Sequence, residues 1–124
     1  LLYDEVAYKF PQLKICMEHV GGYSFFNEAT AVMCNNGNRI YAGLTSVFDN
    51  EKQKYWYLGK EKVKDLIWLT GINQCVFGID FPYNDSNSIK KAMIAMRECV
   101  IEMNLGEDAM ENVFGGNLLR MISK

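Results

Sequence analysis

Short apolar runs alternate with amphipathic stretches along this chain. The runs at 13–19, 39–46 and 75–79 are too short for helices and are typical of buried strands. The segments between and after them repeat apolar residues at helical spacing, and these patterns cover 1–9, 25–33, 60–70, a long stretch after Asp85 and a last stretch from Glu107. Such alternation predicts an α/β fold in which helices cover parallel strands.

Local residues mark where several of these elements begin and end. Pro11 ends the first helix, because the proline ring disfavours helical backbone in the residue before it. The glycines at 21–22 predict a turn after the first strand, and Gly71 predicts the C-terminal cap of the 60–70 helix. Asp85 or Ser86 can cap the start of the long helix that follows.

Each predicted helix has one apolar face. The predicted core residues of these faces are Phe25, Phe26, Ala29, Val32, Met33, Val63, Leu66, Ile67, Thr70, Ile89, Met93, Met96, Val100, Met103, Met110, Val113 and Phe114. The methionines of the long helix form a flexible apolar stripe, which we interpret as core filling and not as a binding surface.

The chain of 124 residues is long enough for one domain, 1–124, but short for a closed α/β barrel. A barrel of this kind needs eight strands, and the pattern contains three. We therefore expect the C-terminal portion of a (β/α)8 TIM-type barrel. Because the sequence starts Leu-Leu within a helical pattern, we also expect it to continue upstream of Leu1.

Composition limits the classes of partner. A formal net charge of −2 without a basic stripe argues against binding to nucleic acid. No apolar stretch approaches the ~20 residues of a membrane span, so we expect no membrane partner. Four widely separated cysteines, without a Cys-x-x-Cys pair, predict neither a disulfide framework nor a zinc finger and favour a reducing cytoplasm.

Two polar residues follow predicted strands and are candidates for chemistry. Asp80 ends the third run, and His19, the only histidine, ends the first. Since α/β barrels place their chemistry at the carboxyl ends of the strands, this placement indicates an enzyme site. Asp80 could be a metal ligand, a general base or a structural residue, and His19 a catalyst or a hydrogen-bonded core residue. Glu18 should point away from His19, so we interpret it as a packing or ion-pairing residue.

Three segments, in order, resemble one family. The run 10–22 resembles the sixth strand of amidohydrolase-related proteins, the metal-dependent (β/α)8 barrels that include aminocarboxymuconate-semialdehyde decarboxylase and related hydrolases. The run 76–83 resembles their eighth strand, and 112–121 resembles their C-terminal Gly-Asn-Ala-x-Arg-Leu signature. One departure is Ile79, where the family more often has Ser or Thr.

The resemblance implies roles for particular residues. Asp80 corresponds to the strand-eight aspartate that binds the metal or activates its water, and His19 to the strand-six histidine that polarises or protonates the substrate. Asn117 and Arg120 fall in a segment that we interpret as packing. A catalytic zinc takes three protein ligands, so the strand-one and strand-five histidines, absent from this sequence, are expected upstream of Leu1.

Three functions compete on this basis. The first is part of an enzyme that uses a divalent metal, expected to be zinc, to hydrolyse or decarboxylate a small carboxylated substrate, with this chain inactive alone. The second is a non-catalytic, self-associating α/β module that has lost the metal site. The third is a small open-sheet domain that binds a ligand at its strand ends. For the first two of these functions, the exposed edges of the sheet predict a partner, which is either the rest of the barrel or a second copy of the chain.

Overall fold

The computed structural model describes residues 2–124, so Leu1, part of the predicted helix 1–9, lies outside the described residues. Strands and helices alternate within them. The elements are α1 (Leu2–Lys9), β1 (Ile15–Glu18), α2 (Gly22–Asn36), β2 (Ile40–Leu44), α3 (Gly59–Thr70), β3 (Cys75–Phe77), α4 (Ser86–Glu102), α5 (Glu107–Glu111) and α6 (Asn117–Ile122). A π-helical turn, Asn112–Gly116, joins α5 to α6.

The three strands form one parallel sheet in the order β1-β2-β3. Glu18 of β1 pairs with Gly43 of β2, and Gly43 pairs with Val76 of β3. The predicted fold class is therefore confirmed: a mixed α/β structure with three parallel strands and covering helices, consistent with part of a (β/α)8 barrel.

Successive strand residues point to opposite faces of this sheet, and the two faces differ in character. Met17, Ala42 and Leu44 face the helices and belong to the buried apolar core, as do helix residues such as Leu66 and Met96. The opposite face carries residues outside that core: Cys16, Glu18, Tyr41, Gly43 and Val76. The helices thus cover one face, and the polar residues of the strands lie on the other.

Several predicted boundaries are confirmed. Gly71 caps α3 with a φ of 87°, a backbone conformation that glycine adopts without steric cost. The Asp85 carboxylate caps α4 by accepting a hydrogen bond of 2.8 Å from the Ser88 amide. The predicted turn at 21–22 is shorter than expected, because α2 already begins at Gly22.

The prediction that Phe25 and Met93 belong to the core is wrong. Phe25 is 65% exposed and Met93 is 42% exposed. Phe25 interrupts the regular backbone of α2, with φ at −125°, so the helical phase on which the prediction depended is broken there. In α4 the buried face is formed by Ser88, Met96, Cys99 and Val100, and Met93 lies outside it.

The C-terminal segment is tied to β3 through a buried polar side chain. Asn117 is fully buried, and its Nδ2 donates 2.7 Å hydrogen bonds to the carbonyl oxygens of Ile72 and Cys75. Arg120 donates to Asn117 Oδ1 at 3.0 Å and to the Asn73 carbonyl at 2.6 Å. These contacts satisfy carbonyl groups at the start of β3, so this segment packs the fold as predicted.

Two further observations concern membrane helices and cysteines in the described part of the chain. None of the helices within residues 2–124 combines the length and the hydropathy that a membrane span requires. All four cysteines, which lie within this range, have free thiols.

Candidate functional site

The chain makes a left-handed turn directly after or near the end of each strand. His19 follows β1 with a φ of 60°, Ser46 lies two residues after β2 with 59°, and Asp80 lies three residues after β3 with 52°. Non-glycine residues rarely adopt this backbone, and such strained positions cluster at functional sites. Because the strands are parallel, all three residues lie at the same edge of the sheet, as predicted for His19 and Asp80.

The Asp80 carboxylate is held by polar neighbours from the segment after β2 and from the loop after β3. Ser46 Oγ donates to Asp80 Oδ2 at 3.0 Å, and Asn84 Nδ2 donates to Ser46 Oγ at 3.2 Å. Asn84 Nδ2 also donates to the Ile79 carbonyl at 2.8 Å. Oδ1 of Asp80 has no hydrogen bond from any residue between 2 and 124, so one carboxylate oxygen remains open.

The His19 ring is oriented by Thr45. The Nδ1 atom lies 2.8 Å from the Thr45 carbonyl oxygen and 3.2 Å from its Oγ1. A carbonyl oxygen only accepts hydrogen bonds, so this contact assigns the proton of a neutral ring to Nδ1. The Nε2 atom, which has no hydrogen bond within the described chain, then carries a lone pair that can accept a proton or bind a cation.

An aromatic residue of the 48–58 loop covers the imidazole. The Trp56 ring stacks on the His19 ring with 4.5 Å between centroids and 22° between planes. The loop reaches this position because the Tyr23 amide donates to the Tyr55 carbonyl at 3.1 Å. Gly22 permits this approach, since a Cβ there would lie 2.6 Å from the Tyr55 carbonyl oxygen.

The base of the same loop is anchored by Asp49, which is buried. Asp49 Oδ1 accepts from the amides of Glu51 and Lys52 at 3.0 and 3.1 Å, and Oδ2 accepts from Ser88 Oγ of α4 at 2.9 Å. Burial raises the pKa of the Asp49 carboxyl, but these hydrogen bonds outweigh burial and leave the pKa below its ordinary value. Asp49 is therefore an ionised anchor for the loop.

The loop and the strand ends enclose a cavity of about 370 Å³. Its wall includes Ser46, Asp80, Trp56 and two lysines, Lys52 and Lys54. The Lys52 ammonium pairs with the Asp85 carboxylate at the start of α4. The Lys54 ammonium pairs with no carboxylate of residues 2–124 and is available to an anionic ligand.

A larger cavity of about 580 Å³ lies beside α4 and α5, lined by residues such as Arg97, Ile101 and Glu111. None of the strand-end groups described above contributes to its wall. The smaller cavity is lined by Asp80 and Ser46, and by Trp56, which stacks on His19, although His19 is not itself part of the wall. It is therefore the better candidate for chemistry.

The described residues do not form a complete metal site. No group of three His, Cys, Asp or Glu side chains in residues 2–124 is placed to hold a cation. Asp80 offers one open oxygen, which fits a divalent cation, but a catalytic zinc takes three protein ligands. Asp80 can therefore be one ligand of a zinc site, and the other ligands would have to come from outside the described residues.

Three of the four cysteines have thiols that ionise less readily than a free thiol. Burial, with the nearby Glu18 carboxylate as a second cause, raises the pKa of the Cys16 thiol to about 12. Burial also raises the pKa of Cys75 to about 12 and that of Cys99 to about 11. These three residues are protonated at neutral pH in the metal-free chain, and a protonated thiol is a weak nucleophile.

Several residues of this site carry little or no signal in the sequence. The apolar pattern predicts Thr45 and Ser46 only as part of the second strand, and Asn84 has no sequence signal for this role. The unusual length and aromatic content of the 48–59 connection is a signal for Trp56 alone. The sequence predicts a packing or ion-pairing role for Glu18. Its carboxylate packs against Gly43 and forms no ion pair within residues 2–124, and its Oε2 also accepts a hydrogen bond from the Thr45 hydroxyl that contacts His19.

Comparison with known proteins gives one family. The amidohydrolase family model matches residues 1–122. Neither a curated protein nor a solved structure matches the chain. Since the family model covers nearly the whole chain, the chain belongs to the amidohydrolase family.

Proposed function

We propose that this amidohydrolase-family chain is part of a metal-dependent enzyme that hydrolyses or decarboxylates a small carboxylated substrate, in the group related to aminocarboxymuconate-semialdehyde decarboxylase. The observation that carries the proposal is the placement of Asp80 and His19 at one edge of a parallel sheet, each with defined hydrogen-bond partners and one open polar atom. Family membership supports the hydrolase class in general.

Asp80 is the residue that would hold a divalent cation, with zinc as the proposed metal. The cation, when bound, supplies Lewis-acid polarisation of the substrate. Ser46 donates to Oδ2 and so fixes the carboxylate, while Oδ1, which has no donor within residues 2–124, would bind the cation or accept a proton from water. The remaining ligands belong to the rest of the proposed barrel.

His19 is proposed to act toward the substrate. Its Nδ1 is hydrogen-bonded to Thr45, so Nε2 is the nitrogen that exchanges a proton with the reacting group. Stacking on Trp56 covers one side of the ring and limits the access of water to it. A positioned imidazole of this kind is a suitable general acid or base near neutral pH.

The carboxylated nature of the substrate is supported by Lys54. Lys54 lines the same cavity as Asp80 and Trp56, and no carboxylate of the described residues pairs with its ammonium group. A substrate carboxylate bound there would be fixed next to Asp80. The nearby Lys52 is less suited to this role because Asp85 already pairs with it.

We also propose a partner that covers the exposed apolar surface and the unpaired strand edges of this fold. Tyr8 is 86% exposed, and an apolar hollow beside α1 is lined by Val6, Phe10, Pro11 and Leu13. Exposed apolar surface and unpaired strand edges normally contact another chain segment. The rest of the barrel or a second copy would cover them, with an interface above ~1,000 Å². A compact monomer in sedimentation at high protein concentration would contradict this part of the proposal.

The proposed compartment is the cytoplasm. All four thiols are free, and those of Cys75 and Cys99 are buried in the core. Core thiols of this kind are compatible with a reducing environment.

The test of the proposed function is Asp80→Asn in the intact enzyme. Asparagine keeps the shape of the side chain and tolerates the left-handed backbone, but it removes the charge that a cation or its water requires. We expect loss of metal and a fall in turnover of about 100-fold or more, measured as CO2 release or hydrolysis across a panel of small carboxylated compounds. Asp65→Asn, at an exposed aspartate of α3, is the matched control.

His19→Ala separates the two roles. If His19 acts toward the substrate, this variant loses turnover while it keeps its metal. Wild-type turnover in Asp80→Asn would exclude the proposed site. Absence of metal and of turnover in the intact wild-type protein would instead favour the non-catalytic, self-associating module.

A further inference from the structure

The Glu18 side chain occupies a space that a glycine leaves open. Glu18 and Gly43 are register partners on the face of the sheet opposite the core. A Cβ at Gly43 would lie 2.6 Å from Cδ, Oε1 and Oε2 of Glu18. The carboxylate therefore lies across the backbone of β2, directed toward the end of that strand.

Both carboxylate oxygens of Glu18 have donors in this position. The Thr45 hydroxyl donates to Oε2 at 2.6 Å, a short distance typical of charge-assisted O–H···O bonds. The Cys16 thiol donates weakly to Oε1 at 3.6 Å. Because the Cys16 thiol is neutral, Thr45 supplies the stronger of the two contacts.

The Thr45 hydroxyl connects this carboxylate to the imidazole. Its single proton is donated to Glu18, so the lone pair on Oγ1 faces His19 Nδ1, which lies 3.2 Å away. The carbonyl of the same residue lies 2.8 Å from Nδ1. The Nδ1 proton of His19 thus has two acceptors on Thr45, the carbonyl oxygen and Oγ1. The negative charge of Glu18 polarises the hydroxyl to which Oγ1 belongs.

The Thr45 side chain is itself fixed by packing. Its Cγ2 methyl group lies against Gly78, where a Cβ would collide with it. With the methyl group against the chain that follows β3, the hydroxyl is directed toward β1. Neighbouring strands therefore determine the direction in which Thr45 donates.

We propose that Glu18 and Thr45 are positioning residues that hold His19 in the Nδ1-protonated form, leave Nε2 free at the strand-end edge, and compensate the positive charge when the ring is protonated. Only the chemical role of His19 rests on the proposed function; the positioning itself does not. Neither Glu18 nor Thr45 needs to touch the substrate, since both act through His19.

The positioning can be measured directly, because His19 is the only histidine and gives one set of ring signals. In 15N–1H correlation spectra of the 124-residue chain at a pH where the ring is neutral, we expect the Nδ1-protonated tautomer. We also expect the Nδ1 proton to exchange slowly with water. A wild-type ring protonated mainly at Nε2 would overturn the proposal.

Substitutions at Thr45 test the hydroxyl. Thr45→Val keeps the methyl group against Gly78 and removes the hydroxyl, so we expect faster exchange of the Nδ1 proton and a smaller fraction of the Nδ1-protonated form. Thr45→Ser keeps the hydroxyl and should preserve both. Thr70→Val is the matched control, because the Thr70 hydroxyl donates to Leu66 within α3. Wild-type exchange and tautomer in Thr45→Val would overturn the proposal.

Two different substitutions test Glu18. Glu18→Gln removes its charge, whereas Gly43→Ala displaces its carboxylate without changing Glu18 or Thr45. We expect both to speed exchange of the Nδ1 proton. In the intact enzyme we expect each to lower kcat about five- to tenfold, the equivalent of one hydrogen bond, with little change in KM. Unchanged exchange in both variants would remove Glu18 from the proposal.

The spectra and the kinetics distinguish two kinds of failure. If the spectra agree with the positioning but His19→Ala retains full turnover, the proposed function is wrong and the positioning stands. If His19→Ala is inactive but the wild-type ring is protonated at Nε2, the positioning is wrong and the proposed function stands.

Discussion

The indole of Trp56 lies nearly parallel to the imidazole of His19, with 4.5 Å between ring centroids and 22° between planes. These rings come from a loop and from a strand end that are far apart in the sequence. The stack depends on two contacts that fix the loop. The Tyr23 amide donates a hydrogen bond to the Tyr55 carbonyl next to Trp56, and buried Asp49 anchors the start of the loop.

The stack predicts a spectroscopic signature. Protons above an aromatic face are shielded, so the His19 ring protons should resonate upfield of free histidine. Trp56→Leu should remove this shift with little loss of stability, because Trp56 is 45% exposed. Trp68→Leu, at an 80% exposed tryptophan of α3, is the control and should leave the His19 signals unchanged. Retention of the shift in Trp56→Leu would show that the rings do not stack in solution.

Asp49 predicts a pH-dependent stability. The folded-state pKa of its carboxyl is below the ordinary value of 3.8, so its contribution is present above pH 3.8 and is lost as the pH falls through the lower folded value. Asp49→Ala should lower the free energy of unfolding by about 1–3 kcal/mol at neutral pH. The deficit relative to wild type should shrink in acid.

Urea unfolding at neutral and acidic pH measures this difference. Asp65→Ala, at an exposed position, is the control and should stay within about 0.5 kcal/mol of wild type. A deficit of Asp49→Ala that is the same at both pH values would contradict the role of its charge.

Substitution of Asn117 should lower the free energy of unfolding more than substitution of Asp49. Asn117→Leu removes the two donors that satisfy the Ile72 and Cys75 carbonyls. Leaving buried carbonyl groups unsatisfied should cost about 2–4 kcal/mol. Denaturant unfolding should show this as a lower midpoint, whereas Asn87→Ala, at an exposed position of α4, should change little. Wild-type stability of Asn117→Leu would mean that these hydrogen bonds contribute little to the fold.

The metal prediction concerns the chain by itself. Asp80 and His19 alone offer fewer than the three protein ligands that a catalytic zinc takes. After dialysis against a chelator, we expect the 124-residue chain to retain far less than one equivalent of zinc by elemental analysis. Stoichiometric zinc would show that the described residues form a site that their geometry does not suggest.

Much of the fold could be predicted because it depends on local pattern. The parallel strands follow from three short apolar runs separated by helical segments, and Gly71 and Asp85 end or begin helices through backbone groups close to them in sequence. The predicted strands were too long. The backbone becomes left-handed at His19 and Asp80, which ends the extended conformation of a strand. A hydropathy pattern contains no information on the φ angle, so it could not predict these ends.

The sequence by itself determined that an aspartate and the single histidine follow buried parallel strands, because hydropathy and order along the chain are local properties. Only the tertiary structure decided that Glu18 serves His19. That relationship depends on the β1–β2 register, which places Glu18 opposite a glycine. It also depends on Thr45, whose hydroxyl and carbonyl bridge the two residues. Contacts across strands follow from register and packing, which no single stretch of sequence specifies.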